Sequence, residues 1–256
     1  MSALTPDEEN QTRLAVIGCG GLSTSRIFPC FPRLPVRLAG VCDLDEAKAR
    51  RNARRHGGEA VFMDAERMLD ETRPDGLVVC IGPQQHAEIA KMALARGIPV
   101  YTEKPPAPTA AEAWAVAQAA KQAGKLCMTA FKYRYAPAQI KAREILAAPE
   151  FGGVAALNLL RVSEPYTNAP GNPRTEFLLD FCIHPIDQVL FLAGEVAEVS
   201  VASPSPENYA IQVRFASGGV GSLCFSCRGS WKRPIDRLNV FGASGQHVSI
   251  EDQIFM

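Results

Sequence analysis

Short apolar runs alternate with amphipathic segments through the first half of the 256-residue chain. The runs are apolar at nearly every position, as expected of strands that are buried on both faces. Six strands are predicted, at residues 14–18, 36–43, 60–62, 76–81, 100–103 and 126–130. The segments between them carry helix start and stop signals and predict helices at 45–56, 64–71, 85–96 and 109–124. Strands that alternate with helices predict an α/β domain built on a doubly wound parallel sheet.

The second half of the chain has a different pattern. One helix is predicted at 136–147 and another at 185–192, and strand patterns dominate the rest. Those strands are predicted at 154–162, 196–202, 209–215, 220–226, 238–241 and 247–250. A run of strands after βα units predicts a separate α+β domain with an open, mostly antiparallel sheet. We therefore expect two domains, 1–130 and 131–256, and a long loop at 165–173 of the kind that often borders active sites.

Charge and composition narrow the classes of partner. Lys+Arg and Asp+Glu both number 27, so the formal net charge is zero and no basic excess favours nucleic acid. The one basic cluster lies on a predicted helix and is interpreted as a solvated helix face; it consists of Arg50, Arg51, Arg54 and Arg55. No apolar run approaches the ~18 residues that span a bilayer. Residues 1–13 are polar and unlike a signal peptide, so a cytoplasmic protein with no membrane partner is expected.

The eight cysteines are interpreted as scattered core residues; Cys42 and Cys80, for example, lie in apolar runs. Cys224 and Cys227 have the C-x-x-C spacing, which can bind zinc, and no second C-x-x-C pair exists to complete a four-ligand site. The residues around them predict a strand, in which positions three apart point to opposite faces. We therefore expect no metal at this pair.

A glycine-rich turn directly follows the first predicted strand and opens the next predicted helix. It consists of Gly18, Cys19, Gly20, Gly21, Leu22 and Ser23. Glycine allows a tight turn and a close approach of the backbone to a pyrophosphate, and the helix N-terminus then offers free N–H groups. Ser23 stands where the dinucleotide fingerprint usually has a third glycine or alanine. The strand, the glycines and a later acidic residue, taken together, predict a Rossmann dinucleotide-binding domain.

That acidic residue is Asp43, which ends the second predicted strand, 25 residues after Gly18. A carboxylate at this place accepts hydrogen bonds from the ribose hydroxyls of the adenosine half and repels a 2′-phosphate. The position favours NAD over NADP as the cofactor. The alternative is that Asp43 only caps the helix that follows it.

A second set of residues carries a family resemblance. The fifth predicted strand ends in Glu103-Lys104-Pro105, and the second half contains Asp180, His184 and Asp187 in the pattern D-x-x-x-H-x-x-D. With the glycine-rich turn, this combination resembles the Gfo/Idh/MocA oxidoreductases, the family of glucose–fructose oxidoreductase and inositol dehydrogenase. The resemblance runs from Leu14 to about residue 250. His86 and the segment 131–137 also match the pattern of the family.

The resemblance implies roles for these residues. Lys104 would lie beside the nicotinamide and donate a hydrogen bond to the reacting oxygen of the substrate. Asp180 and His184 would complete the catalytic site, with His184 as the proton acceptor. The remaining expected cofactor contacts are Glu103, Ile81, Gly82 and His86. Arg134 and Asp187 are candidates for substrate contact; the alternatives are that Arg134 pairs with a carboxylate and that Asp187 makes a helix-orienting hydrogen bond.

The chemistry of alcohol oxidation agrees with this assignment. A base must take the hydroxyl proton while a cation stabilises the developing alkoxide, and histidine titrates in the useful pH range. Asp180 and His184 are four residues apart and would share a face of a helix. Pro185, however, fits the first turn of a helix better than its middle, so the helix is expected to begin near His184. Lys104 as a surface lysine and His184 as a core histidine are the alternatives.

Two departures from the family pattern are visible. Residues 174–177 and Cys182 replace a glycine-rich stretch and a glycine, so we expect an altered substrate pocket. The C-terminal sheet is also expected to be shortened. The leading hypothesis is an NAD-dependent dehydrogenase of a sugar, inositol or related polyol, forming a homo-oligomer through its C-terminal sheet. The rivals are an enzyme that uses NAD transiently to cleave glycosidic bonds and a non-catalytic NAD-binding regulator.

Overall fold

The computed structural model describes residues 11–164, 177–230 and 232–252. The chain divides into two compact units, Met1–Ala130 and Phe131–Met256. The predicted loop at 165–173 lies outside the described residues. None of the helices in the described ranges is long and apolar enough to cross a membrane.

The first unit is built on a parallel six-stranded sheet with the order β3-β2-β1-β4-β5-β6. Its strands are β1 (Thr12–Ile17), β2 (Val36–Cys42), β3 (Val61–Phe62), β4 (Gly76–Val79), β5 (Val100–Thr102) and β6 (Cys127–Thr129). Its α-helices are α1 (Glu46–His56), α2 (Ala65–Thr72), α3 (Pro83–Ala95) and α4 (Ala110–Ala123). The order, in which β1 lies between β2 and β4, is the doubly wound arrangement, and the predicted fold class is confirmed for this unit.

Both faces of this sheet are buried. On one face, Leu77 and Val79 pack with Met68 and Leu94 from the covering helices. On the other face, Val16 and Val41 pack against Phe28, which is fully buried. Neighbouring residues of one strand thus enter different cores, which explains why these strands are apolar at nearly every position.

The helix predicted after the glycine-rich turn is not a regular α-helix. Ser23–Ile27 is a π-helical segment, and Phe28–Arg33 continues as a 3-10 helix. Pro29 and Pro32 fall in this stretch, and proline has no backbone N–H to donate to a carbonyl one turn earlier. The other helices of the unit end as predicted; α1 and α4, for example, stop at Gly57 and Gly124 in the left-handed conformation.

The second unit is built on a mixed six-stranded sheet with the order β12-β11-β7-β10-β9-β8. Its strands are β7 (Val154–Val162), β8 (Val196–Ser205), β9 (Asn208–Phe215), β10 (Val220–Ser226), β11 (Ile235–Gly242) and β12 (His247–Glu251), and its α-helices are α5 (Pro137–Ala147) and α6 (Ile183–Ala193). β7 and β10 run parallel, whereas the other neighbouring strands are antiparallel. The predicted mostly antiparallel sheet is confirmed.

One face of this second sheet carries the core of the unit. Side chains alternate between buried and exposed along β9, β11 and β12. The buried set, which includes Phe215, Phe225 and Leu238, packs with residues of α5 and α6. The opposite face exposes Val220 and Phe241. The sheet is therefore open on one side, as its alternating sequence predicts.

Two strands are longer than the sequence predicts by several residues. β8 runs on to Ser205 and includes Pro204, which the apolar pattern excludes. Proline is tolerated there because β8 is an edge strand, and its missing N–H takes nothing from a ladder on the open side. β11 begins at Ile235 and includes Asp236, whose buried carboxylate interrupts the apolar pattern.

We predict that the second unit depends on its buried phenylalanines far more than on its exposed ones. Phe225 is fully buried, whereas Phe241 is 43% exposed on the other face of the same sheet. Phe225→Ala should lower the free energy of unfolding by about 3–5 kcal/mol, because it removes buried contacts and leaves a cavity. Phe241→Ala is the matched control and should cost less than about 1 kcal/mol. Urea denaturation measures both, and equal losses would contradict the assigned core.

Candidate active site

The glycine-rich turn is formed where β1, β2 and β4 end side by side. The backbone N–H of Gly18 donates to the Cys42 carbonyl at 2.8 Å, and Gly18 has a φ of +100°. A Cβ at Gly18 would collide with the carbonyl oxygen of Cys80. Only glycine fits this position. A Cβ at Gly20 or Gly21 would meet nothing within 4 Å, so the outer side of the turn is open to a ligand.

The carboxylate of Asp43 accepts hydrogen bonds from the glycine-rich turn and from the start of the next helix. Its Oδ2 accepts a hydrogen bond from the Cys19 backbone N–H at 2.6 Å, and its Oδ1 accepts from the Asp45 N–H at 2.8 Å. The N-cap of α1 is Asp45, which accepts from Ala47 and Lys48. The alternative in which Asp43 caps this helix is therefore wrong. An ionised carboxylate offers about four acceptor sites, and these contacts use two of them.

A cavity of about 400 Å³ opens beside this carboxylate. Its walls are mostly apolar, and its lining includes Asp43, Leu44, Met63, Ile81, Gly82 and Ile89. An apolar slot with one carboxylate at its edge suits an adenosine group, with a flat base between apolar side chains and ribose hydroxyls that donate to the carboxylate. The turn and the cavity together fit a dinucleotide.

The floor of the turn is lined with neutral groups. Cys19 and Cys42 are buried, and burial is the main reason that the pKa is raised to about 12 for Cys19 and about 11 for Cys42. Burial likewise raises the pKa of Cys80 to about 11. Ser23 is fully buried, and its hydroxyl donates to the Gly20 carbonyl at 3.1 Å. Ser23 therefore stabilises the turn from within.

The Glu103-Lys104-Pro105 turn follows β5 and is stabilised by two hydrogen bonds from its backbone N–H groups. The Glu103 N–H donates to the Val79 carbonyl at 2.8 Å, and the Lys104 N–H donates to Glu103 Oε2 at 3.2 Å. His86 lies behind the turn in α3, is fully buried, and has its Nδ1 at 2.6 Å from the Pro105 carbonyl oxygen. Burial lowers the pKa of His86, so the neutral ring donates from Nδ1. His86 is thereby placed to support the turn that carries Lys104.

In the second unit, Asp180 and His184 do not share one regular helix. Asp180 lies in a π-helical segment, Phe177–Phe181, whereas α6 begins at Ile183. His184 is thus the second residue of α6 and Pro185 the third. The interpretation that the helix begins near His184 is confirmed, since proline fits the first turn, where its missing N–H has no intrahelical partner.

Aromatic side chains surround the His184 ring. Tyr133 stacks on it with centroids 4.8 Å apart and an interplanar angle of 21°, and Phe131 meets it edge-on at 6.5 Å. The Tyr133 hydroxyl lies 3.5 Å from Asp236 Oδ2. Asp236 is buried and forms an ion pair with Arg161. Burial is also the main cause that raises the pKa of Tyr133, so its hydroxyl stays protonated.

Arg134 and Asp187 bind each other. The guanidinium donates to both carboxylate oxygens, at 2.8 Å and 2.5 Å, and only 7% of the Asp187 side chain is exposed. Arg134 also lies over the rings of Phe131 and Phe191. For both residues, the geometry favours the structural alternative named above over substrate contact, because the bidentate pair occupies the N–H edge of Arg134 and both carboxylate oxygens of Asp187.

Cys182 is the residue that stands where the family pattern usually has a glycine. Cys182 is fully buried, and burial raises its pKa, so a neutral thiol packs into the core of the unit.

The two cysteines of the C-x-x-C pair differ in exposure. Cys224 is exposed on β10, whereas Cys227 is buried just after the strand ends. No group of three or more His, Cys, Asp or Glu in the described part of the chain is placed to hold a metal ion.

Sequence reasoning missed Arg161 and Asp236 entirely and included Tyr133 only as part of the segment 131–137. The three residues lie on different elements, up to 103 positions apart, and no local spacing connects them. The one available signal was Asp236 itself, a charged residue next to an apolar strand pattern.

Comparisons with known proteins follow the same division of the chain. The family model described as "Oxidoreductase family, NAD-binding Rossmann fold" matches residues 12–131, and the model described as the GFO/IDH/MocA C-terminal domain matches residues 140–248. The parallel sheet and its glycine-rich turn define a dinucleotide-binding protein of the Rossmann class. With both of its domain models matched, the chain belongs to the Gfo/Idh/MocA oxidoreductase family.

Relatives and solved structures agree with this membership. D-glucoside 3-dehydrogenase of Escherichia coli (strain K12) is 30% identical over 205 residues, which are 75% of this chain and 57% of that protein. Inositol 2-dehydrogenase of Arthrobacter sp. (strain FB24) is 28% identical over 185 residues, 72% of this chain and 54% of that protein. The chain thus spans little more than half the length of these relatives.

Two solved structures share the fold. A dehydrogenase from Chromobacterium violaceum superposes with a TM-score of 0.84 at 23% identity, covering 94% of this chain and 72% of that one. An oxidoreductase domain protein from Kribbella flavida superposes with a TM-score of 0.81 at 26% identity, covering 94% and 73%.

We predict that His86 makes the protein lose stability in mild acid. Its pKa in the folded state lies below the ordinary value of 6.5 because it is buried. The unfolded chain therefore binds more protons between these two values, so the free energy of unfolding falls as the pH drops below about 6.5. His86→Asn keeps an amide N–H for the Pro105 carbonyl but does not titrate, and it should flatten this dependence.

Urea denaturation between about pH 5 and pH 7 measures the effect. The pKa of His56 is lowered as well, mainly by burial, so the comparison of variant with parent isolates the part due to His86. His247→Asn, at an exposed position of β12, is the matched control. An unchanged slope in His86→Asn would mean that His86 is not the residue that charges on unfolding.

Proposed function

We propose that this protein is an NAD-dependent dehydrogenase that oxidises a secondary alcohol of a sugar, inositol or related polyol, or reduces the matching ketone. The observation that carries the proposal is the glycine-rich turn held by Asp43 at the edge of an apolar cavity of about 400 Å³. Family membership supports the same chemistry, and the named relatives are an inositol and a glucoside dehydrogenase.

The turn and the carboxylate would hold the cofactor. The space beside Gly20 and Gly21 is open, so the backbone N–H groups of Gly20, Gly21 and Leu22 would bind the pyrophosphate, with Ser23 supporting the turn from within. Asp43 has acceptor sites left for two ribose hydroxyls, and its charge would repel the 2′-phosphate of NADP. Ile81, Gly82 and Glu103 would lie beside the nicotinamide half. When bound, the nicotinamide ring supplies the acceptor for the hydride.

Three residues of this chain would carry the proton chemistry, as the family resemblance assigns them. His184 would take the hydroxyl proton of the substrate at its imidazole, and Asp180 would stabilise the protonated ring. Lys104 would donate a hydrogen bond to the reacting oxygen as its negative charge develops. Lys104 is held by the turn that His86 supports, and the His184 ring is held by Tyr133 and Phe131.

The partners and the location follow from the same proposal. The substrate would be a small polyhydroxylated molecule rather than a macromolecule. The open face of the second sheet, where Val220 and Phe241 are exposed, would join copies of the chain into a homo-oligomer. All eight cysteines are free thiols, which fits the reducing environment of the cytoplasm.

A substrate screen tests the proposal. Purified protein is mixed with NAD⁺ and a panel of inositols, free sugars, sugar acids and glycosides, and NADH absorbance is followed. NADH formation with one class supports the dehydrogenase. Consumption of a glycoside without net NADH would instead show transient use of the cofactor. Binding of NAD without any turnover across the panel would favour a non-catalytic regulator.

We predict that Lys104→Ala and His184→Ala each impair turnover without weakening NAD binding. Loss of a donor that stabilises the transition state typically lowers kcat about 10²–10³-fold, and loss of a general base about 10²–10⁴-fold. Steady-state kinetics measures kcat, and cofactor fluorescence measures the Kd of NAD. Lys121→Ala, at an exposed position of α4, and His247→Ala are the matched controls. Full turnover in both active-site variants would refute the assignment.

We also predict that Asp43 sets the preference for NAD. The parent protein should bind NAD more tightly than NADP. Asp43→Asn keeps one acceptor oxygen but removes the charge, so the preference should narrow by about tenfold, as expected from relieving one close charge repulsion. Asp45→Asn is the matched control, since asparagine caps a helix as well as aspartate does. Fluorescence titration of both cofactors decides, and tighter NADP binding by the parent would overturn the prediction.

A further inference from the structure

The stacking of Tyr133 on His184 brings together two side chains that lie 51 positions apart in the sequence. The two ring centroids are 4.8 Å apart and the planes are within 21° of parallel. The ring of Phe131, two residues earlier in the chain, packs edge-to-face with the His184 ring at an interplanar angle of 82°. Rotation of the imidazole about its χ2 angle would break the stack with Tyr133 and lose the edge-to-face contact with Phe131. The aromatic pair therefore restricts the plane in which His184 presents its nitrogens.

Tyr133 is itself held in place by a buried ion pair. Its hydroxyl points toward Asp236 Oδ2 at 3.5 Å, and Asp236 is 3% exposed and paired with Arg161. Only 15% of the Arg161 side chain is exposed. The guanidinium of Arg161 also lies 4.7 Å from the centroid of the Phe181 ring. Phe181 directly follows Asp180. One arginine thus connects the segment that carries Asp180 with the tyrosine that contacts His184.

The contact has an electrostatic consequence. The face of a phenol ring is the negative end of its quadrupole, and a cation within about 6 Å of the ring centroid is attracted to it. A stacked imidazole gains this attraction only when it is protonated. Burial keeps the Tyr133 hydroxyl protonated, so the ring remains a neutral phenol beside the carboxylate of Asp236.

We propose that Tyr133 is a positioning residue for His184, whose ring both fixes the plane of the imidazole and favours its protonated form. Its relevance to catalysis rests on the proposed function, in which His184 accepts the proton of the alcohol. The Arg161–Asp236 pair holds Tyr133 in the stacking geometry. In the parent protein, the acid limb of activity would then lie at a higher pH than it would without the stack.

Several other charged groups lie near this ring, and they act in different ways. Asp180 precedes α6, and under the proposed function its charge would favour the imidazolium. Asp236 on β11 and Arg161 on β7 form a pair with no net charge, and they act through Tyr133. Arg134, beside Tyr133 in the same turn, is neutralised by Asp187 of α6. Substitution of Tyr133 alone leaves all of these charges in place.

An NMR titration tests the proposal without any substrate. Protein labelled with ¹³C at the histidine ring is titrated, and the His184 signal is assigned by its loss in His184→Gln; His56, His86 and His247 serve as internal references. Tyr133→Leu keeps apolar bulk but removes the aromatic face, so the pKa of His184 should fall by about 0.4–0.8 of a unit. Tyr133→Phe keeps the face and should restore most of the parent value. Tyr135→Leu, at an exposed tyrosine in the same turn, is the matched control.

Graded fluorination gives a second measurement that does not depend on Tyr133→Leu folding. Phenylalanine analogues with one to three ring fluorines are placed at position 133, where they keep the shape but weaken the negative ring face. The pKa of His184 should fall stepwise with each fluorine. An unchanged or raised pKa in Tyr133→Leu, or no trend in the fluorinated series, would overturn the proposal and leave Tyr133 as a packing residue.

The two proposals fail separately. If no substrate is found, the titration still decides whether Tyr133 favours protonated His184. If the pKa of His184 does not change when Tyr133 is substituted, and the substrate screen succeeds, the dehydrogenase proposal is supported and only the positioning role of Tyr133 is refuted. With a substrate in hand, the acid limb of kcat/KM should move to lower pH in Tyr133→Leu and stay in place in Tyr133→Phe.

Discussion

The close approach of Gly18 to the Cys80 carbonyl is the constraint on which the first unit depends. Parallel strands need crossover connections, so the chain returns to the same edge of the sheet after every helix, and the strand ends gather there. The N–H of Gly18 reaches the end of β2 while its Cα touches the residue after β4. Any side chain at this point would separate these strands. Asp43, at the end of β2, is close enough to bind the turn: its Oδ2 accepts a hydrogen bond from the backbone N of Cys19 at 2.6 Å. Steric fit and a charge-assisted hydrogen bond thus build the glycine-rich turn.

The second unit relies on buried ion pairs instead. Arg134 with Asp187, and Arg161 with Asp236, each place a nearly buried carboxylate against a guanidinium. Such pairs contribute little net stability, because both ions lose their hydration, but removing one partner is costly since the other charge is left buried. Their geometry also demands one arrangement of the surrounding elements. The first pair joins the turn after Phe131 to α6, and the second joins β7 to β11. We infer that the Arg134–Asp187 pair specifies where α6, and therefore His184, lies.

The elements that sequence predicted best are those whose pattern is decided locally. β7 and β10 have the predicted bounds, because a pair of glycines directly precedes each strand and marks its start. The segment after the glycine-rich turn was harder, since its apolar spacing suggested a helix while Pro29 and Pro32 divided it into π and 3-10 parts. Pro204 hid the end of β8 for the opposite reason, because only its place at a sheet edge makes a proline acceptable. The conformation of the segment after the turn and the end of β8 both depend on tertiary contacts, which the pattern of residues along the chain does not show.

The candidate site shows the same division. Gly18, Asp43, Lys104 and His184 could be named in advance because each belongs to a motif with fixed spacing. That Asp45 rather than Asp43 caps α1 could not be predicted, since both are aspartates next to the start of this helix and only the backbone conformation separates them. Tyr133, Arg161 and Asp236 come from three elements, and they are found together only after the sheet forms.

Cys182 explains how His184 keeps its place when the glycine usual in the family is absent. A side chain at this position could have pointed into the substrate pocket, which is why an altered pocket was expected. The structure buries it completely in the core of the unit instead. Its N–H donates to the Phe177 carbonyl and its carbonyl accepts from Ile186, so the backbone continues from the π-helical segment into α6 through this residue. The neutral thiol packs as a small hydrophobic group that anchors the start of the helix. The first turn of α6 is therefore fixed from one side by Cys182 in the core and from the other by the stack of Tyr133 on His184.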